Sequence, residues 1–119
     1  GAMHITAIVD LIKGGNSAWP RLETDTHLMC IGSGRPMEEA WRAGQVEMIT
    51  WLGELYGLDR FDAYQLLTQI SLSPIANVVD TNYSAVTKID KRLLPPAPAY
   101  GGVHAQLRAA AEALGSISY

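Results

Sequence analysis

The stretch "HLMCIGSGRPMEEAW", from His27 to Trp41, constrains the fold of this chain more than any other. An apolar run of strand length is cut off by Gly32 and Gly34, and a proline and two glutamates follow closely. Pro36 suits the first position of a helix, where its missing N–H is not needed. Glu38 and Glu39 complement the positive end of that helix. From there Trp41, Met48, Leu52 and Leu55 recur at roughly helical spacing, widened by Ala40, Ile49 and Trp51. Gly44 and Gly53 each lower helix propensity by roughly 1 kcal/mol relative to alanine, a cost that close packing can offset. Gly57 is a natural residue to end the helix near Tyr56. A strand must therefore turn directly into a long helix.

The remaining elements arrange themselves around this junction. Asp59 predicts an N-cap, with Asp62 three residues on in the manner of a capping box. Ala63, Leu66, Leu67 and Ile70 then form one face of a second, shorter helix. "SPIANVV" and "YSAVTKID" read as two further strands, separated by the turn-forming "DTN". At the other end, the β-branched "HITAIVDLI" (His4 to Ile12) is expected to be a strand, followed by the turn cluster "KGGNS". "AWPRLET" is short and extended, with Pro20 suiting an edge. "LLPPAPAYGG" should be extended or flexible, and "VHAQLRAAAEALG" a terminal helix whose alanine-rich face is too slight to dock strongly. The order β-β-β-α-α-β-β-(α) predicts an α+β fold: a small mixed or antiparallel sheet packed against a helical pair. Residues 1–3 read as the scar of a cleaved tag, 4–95 as one α+β domain, and 96–119 as a linker with a terminal helix or tail.

Composition narrows the function classes. A formal charge of −3, from nine Lys and Arg against twelve Asp and Glu, argues against a nucleic-acid surface or an anionic-membrane surface. The densest basic group, Lys88, Lys91 and Arg92, reads as a solvated strand end. No apolar run approaches the roughly 18 residues that span a bilayer, and no leader is evident, so a soluble cytoplasmic protein is expected. One cysteine excludes an intramolecular disulfide.

Candidate chemistry concentrates in "RLETDTHLMCIGSGRP". Glu23, Asp25 and His27 could line a pocket, and His27 with Asp25 or Glu23 could contribute metal ligands. The alternative is that Thr24 or Asp25 satisfies local backbone N–H groups while His27 is partly buried. Gly32, Gly34 and Arg35 could present an anion site at the helix start, although "GSGRP" lacks the lysine and length of a phosphate loop. A plain strand-to-helix turn accounts for the same glycines. Asp80 and Asn82 are further pocket candidates in a segment that turn chemistry also explains. Strand alternation puts Leu28 and Cys30 on one face and His27, Met29 and Ile31 on the other, so Cys30 and His27 do not meet as nucleophile and base. Glu47 and Glu54, seven apart, share a helix face and read as a solvated stripe. Trp19, Trp41 and Trp51 read as core or interface anchors.

Five stretches taken in order resemble the acetamidase/formamidase family of amide hydrolases. They are "VDLIKG" (Val9 to Gly14), "WPRLET" (Trp19 to Thr24), "HLMCIGSGRPMEEA" (His27 to Ala40), "WLGELYGLDRFDAYQLLTQI" (Trp51 to Ile70) and "NVVDTNYSAVTKIDKRLLP" (Asn77 to Pro95). Members of that family are much longer, and the likeness is to their C-terminal portion. The resemblance implies metal-dependent hydrolysis of a small linear amide to a carboxylate and ammonia. It also implies a divalent metal, zinc or calcium, in the full-length family. The histidine- and glycine-rich upstream stretches that look like the family's metal-binding elements do not occur here, so none is expected to be bound by this chain alone. Two readings follow. In one, the chain supplies scaffold and pocket walls to an upstream half or a partner chain. In the other, it is a non-catalytic domain that keeps the fold for self-association, as a homodimer, or for small-ligand binding.

Overall fold

The computed structural model describes residues 1–115 of the 119. Residues 116–119, the end of the expected tail, lie outside the described residues. The elements run β1 (Arg21–Glu23), β2 (His27–Gly34), α1 (Met37–Tyr56), α2 (Arg60–Ile70), β3 (Ser71–Leu72), β4 (Ile75–Asn77), β5 (Tyr83–Asp90) and α3 (Val103–Leu114). Short 3₁₀ turns at Lys91–Leu93 and Ala99–Gly101 lie between β5 and α3. The strands form one open antiparallel sheet in the order β1-β2-β5-β3, with β4 also on β5. With α1 and α2 packed together on one side, this is the expected α+β fold, and the sheet is antiparallel.

Side-chain period and helix ends follow the residues. Leu28, Cys30 and Gly32 of β2 and Ala85, Thr87 and Ile89 of β5 are buried beneath α1, while the alternate positions are half-buried on the far side. Met48, Trp51 and Leu52 of α1, with Ala63 and Leu67 of α2, complete the core. The helix begins one residue later than expected, with Pro36 at the N-cap position and Met37 first. Gly57 ends it in the left-handed region at φ 66°, and its N–H bonds to the Gly53 carbonyl. Asp59 caps α2 by accepting from the N–H groups of Phe61 and Asp62.

Two glycines let α1 lie unusually close to the sheet. A Cβ on Gly32 would fall 2.0 Å from the Ala40 carbonyl oxygen and 2.5 Å from the Gly44 nitrogen. A Cβ on Gly44 would meet Thr87 Oγ1 at 2.9 Å. The propensity lost at Gly44 is thus exchanged for a backbone-to-backbone approach no larger residue would allow.

One expected strand does not form. Residues 1–12 carry no regular structure and are exposed, including all of "HITAIVDLI". A strand needs a paired edge and a face to bury, and a lone extended segment has neither. The neighbouring edge, β1, is three residues long. Instead the sheet gains the short β3 directly after α2. The terminal helix forms as expected, and none of its residues is buried.

Candidate functional site

The strongest concentration of polar chemistry lies where β1 crosses α1. Arg21 points from β1 onto the helix and donates from Nε to Glu47 at 2.6 Å and from Nη1 to Glu54 at 2.6 Å. It also reaches the Tyr100 hydroxyl at 3.1 Å and sits 5.3 Å from the centre of the Trp51 ring. The Arg21 and Glu47 side chains are only 3 % and 4 % exposed, whereas Glu54 is 46 % exposed. Glu47 also accepts from the backbone N–H of Ala18. Burial opposes the Arg21 charge, but its bonds to Glu54, Glu47 and Tyr100 outweigh that and raise its pKa further. The solvated stripe expected of Glu47 and Glu54 is therefore corrected: Glu47 lies inside the fold because Arg21 neutralises it there. Tyr100, held at φ 50°, is pinned between Arg21 and Trp51, whose ring centre is 6.2 Å away.

Next to this cluster lie two clefts. One of about 440 Å³ is lined by Glu23, Leu28, Tyr56, Lys91, Leu94 and the Pro95–Pro98 segment. Glu23 and Lys91 face each other there at 2.7 Å, and Tyr56 donates its hydroxyl to the Pro95 carbonyl. Burial, then the Glu23 charge, raises the Tyr56 pKa, so the phenol stays protonated. Lys91 is thus a cleft residue and not the solvated charge expected, while Arg92 is exposed and paired with Asp90. A second cleft of about 240 Å³ runs between Arg21, Glu23 and Trp51 on one side and Tyr100, His104 and Leu107 on the other.

The other candidate residues are placed apart. Asp25 faces α3, bonding His104 Nε2 at 2.9 Å and Arg108 Nη1 at 2.6 Å. The His104 bond, followed by the Arg108 charge, holds its carboxyl below the usual range. His27 has its Nδ1 on the Thr26 hydroxyl, and Thr24 Oγ1 accepts from the N–H groups of Thr26 and His27. Local turn bonding thus falls to Thr24 and not to Asp25. Gly32 lies beneath α1, Gly34 has ordinary clearance, and Arg35 stacks 5.2 Å from the Tyr83 ring and donates to the Thr81 carbonyl. Asp80 accepts from Asn77 Nδ2 in the β4–β5 turn, and Asn82 is exposed beside it. Cys30 is fully buried, and burial, followed by the Glu47 charge, pushes its thiol up to about 12. It is no nucleophile at neutral pH. Of the tryptophans, Trp51 is core, Trp19 is half-buried, and Trp41 is partly exposed with its Nε1 on Ser73.

Among the described residues, no group of three or more His, Cys, Asp and Glu side chains is arranged to hold a metal. His27 and Asp25, turned to different partners, do not fit the divalent ion that the resemblance implies. Nor is any described helix long and apolar enough to cross a membrane. The Arg21 cluster escaped the sequence reading, yet it left a trace. Glu47, Trp51 and Glu54 fall at i, i+4 and i+7 on one helix face, so two carboxylates flank a core tryptophan. That arrangement demands a cation from another element.

Comparison with known proteins agrees with this fold. No family model matches the sequence, and no curated protein matches it significantly. Two solved structures do. The acetamidase from Yersinia enterocolitica is 38 % identical with a TM-score of 0.68, over 71 % of this chain and 26 % of that one. The acetamidase from Bacillus halodurans is 26 % identical with a TM-score of 0.58, over 61 % of this chain and 25 % of that one. The chain is therefore a partial match to the acetamidase family, spanning about a quarter of the length of each solved relative.

Proposed function

We propose that this chain is the scaffold portion of an amide hydrolase acting on the carbon–nitrogen bond of small linear amides. In this reading it supplies pocket walls while other polypeptide supplies the metal ligands. The observation that carries it is the 38 % identity to an acetamidase over 71 % of the chain. The larger cleft supports it chemically. Glu23 offers acceptors and Lys91 donors beside the apolar Leu28, Leu94 and proline wall. A small amide needs both kinds of partner, one for its N–H₂ and one for its carbonyl. The divalent ion, zinc or calcium, then belongs to residues outside 1–115, because His27 and Asp25 here diverge. A cytoplasmic setting suits the single buried thiol.

The test is a ¹⁵N-resolved NMR titration of the chain with acetamide and with formamide, using urea-free buffer and acetate as controls. Shifts confined to Glu23, Leu28, Lys91 and Leu94, weakened in Glu23→Gln, are expected. Amide-induced shifts that are absent from the cleft, or unchanged by Glu23→Gln, overturn the assignment of the pocket wall.

A further inference from the structure

We propose that α3 is a hinged strap, which lifts as one unit from the crossing of β1 and α1 and is latched shut by Asp25. The hinge is set by the backbone. Ala99 is buried and Tyr100 is bonded to Arg21, so the chain is fixed to the body up to that point. Gly101 and Gly102 follow at φ 69° and 88°, and the helix starts directly after them at Val103. Two successive glycines leave the joint without a Cβ to restrict its rotation.

The helix itself rests lightly. None of its residues is buried, and even Leu107, on the side towards Trp51, is 37 % exposed. Beneath it lies the cleft of about 240 Å³, with Arg21, Glu23 and Trp51 of the body facing Val103, His104 and Leu107 of α3. Close-packed elements leave few voids larger than a water molecule, so this seat is not a packed interface. Charge closes it instead. Asp25 meets His104 Nε2 with Oδ1 and Arg108 Nη1 with Oδ2. His104 and Arg108 stand four residues apart on one helix face, so a single carboxylate grips a full turn of α3. All three side chains reach solvent, where ion pairs hold only weakly. Lys91, the other charge acting on Asp25, belongs to the body and does not hold the helix. Lifting α3 bares Trp51 and a second side of Glu23, which also lines the larger cleft. The strap thus sets how much of that carboxylate is open to solution. The inference rests on α3 and its seat alone and does not depend on amide chemistry.

Amide hydrogen exchange of the full chain, followed residue by residue by NMR, is the test. A helix of 12 residues is marginal once detached, so its amides exchange whenever the strap lifts. Those of Leu107 to Leu114 should exchange as one group, well ahead of the buried faces of α1 and α2. Asp25→Asn should accelerate that group roughly fivefold and leave α1 and α2 unchanged, which also shows that the variant is folded. Raising the ionic strength to about 1 M, where the screening length is roughly 3 Å, should do the same in the parent chain and add little to Asp25→Asn. Exchange of α3 in step with α1 and α2 overturns the proposal, as does exchange at the rate of an unstructured peptide. Rates graded from Leu114 inward would show fraying in place of a hinge and overturn it too. So would a group unmoved by both Asp25→Asn and salt.

Discussion

Replacing Arg21 by methionine removes, among the described residues, the one cation bonded to buried Glu47 and leaves the carboxylate with the Ala18 N–H as its remaining partner there. Breaking a buried ion pair from one side costs about 3–5 kcal/mol, because the surviving charge has lost its compensation without regaining water. For a domain of this size that corresponds to a fall in Tm of roughly 12–20 °C. Glu54 is different. It is half exposed, so Glu54→Gln should cost no more than about 1 kcal/mol despite its equally short bond to Arg21. The double variant Arg21→Met/Glu47→Met should recover most of the loss, since an apolar pair of similar volume needs no desolvation. Urea unfolding at neutral pH, with midpoint and slope both recorded, measures each variant and the coupling between them. Arg21→Met costing less than about 1 kcal/mol would refute the reasoning, as would a double variant no better than the sum of its parts.

Other expectations follow from the same geometry. Gly32→Ala drives a methyl group into the Ala40 carbonyl and the Gly44 nitrogen, both backbone, and should cost about 3 kcal/mol or more by overpacking, read as a drop in urea midpoint. Gly44→Ala should also destabilise, because its Cβ would meet the buried, hydrogen-bonded Thr87 hydroxyl at 2.9 Å, but by less than Gly32→Ala, since its clash is with a side chain and alanine returns roughly 1 kcal/mol of helix propensity. Asp90, held at about 2 by Arg92, and Asp25, held low by His104 and Arg108, have folded values below the ordinary 3.8. The unfolded chain therefore binds more protons below the ordinary carboxylate range, so both contributions are present above it and are lost on acidification, that of Asp90 as pH falls towards about 2. Asp90→Asn should flatten the acid limb of a stability-against-pH curve, and an unchanged limb would count against the pairing. Cys30 should resist a thiol reagent at pH 8 in the folded chain and react fully in denaturant; rapid reaction when folded would contradict its burial.

Much of the fold was legible because local signals agreed with one another. The Gly57 terminus, the Asp59 cap and the alternation of Leu28 with Met29 each need only neighbours within a few residues. The failures share a cause, which is partners far apart in sequence. "HITAIVDLI" has the composition of a strand, but composition cannot supply the edge and the face that a strand needs, and the chain leaves it exposed. Glu47 looks solvated until Arg21, 26 residues earlier, is brought over it. Gly44 reads as a weak helix position until Gly32 is placed beneath it. At the candidate site, Glu23 was identified from its own segment, but its partner Lys91 comes from beyond β5 and looked like a surface charge. Asp25 and His27 are two residues apart in sequence, yet the turn directs one to α3 and the other to Thr26.

The most direct test of the central claim is ammonia release from acetamide and formamide by the purified chain, with and without added Zn²⁺. A scaffold portion whose metal ligands lie elsewhere should release none above background under either condition. Zinc-dependent release that disappears in His27→Ala would contradict the account, because it would place a complete catalytic site within this chain.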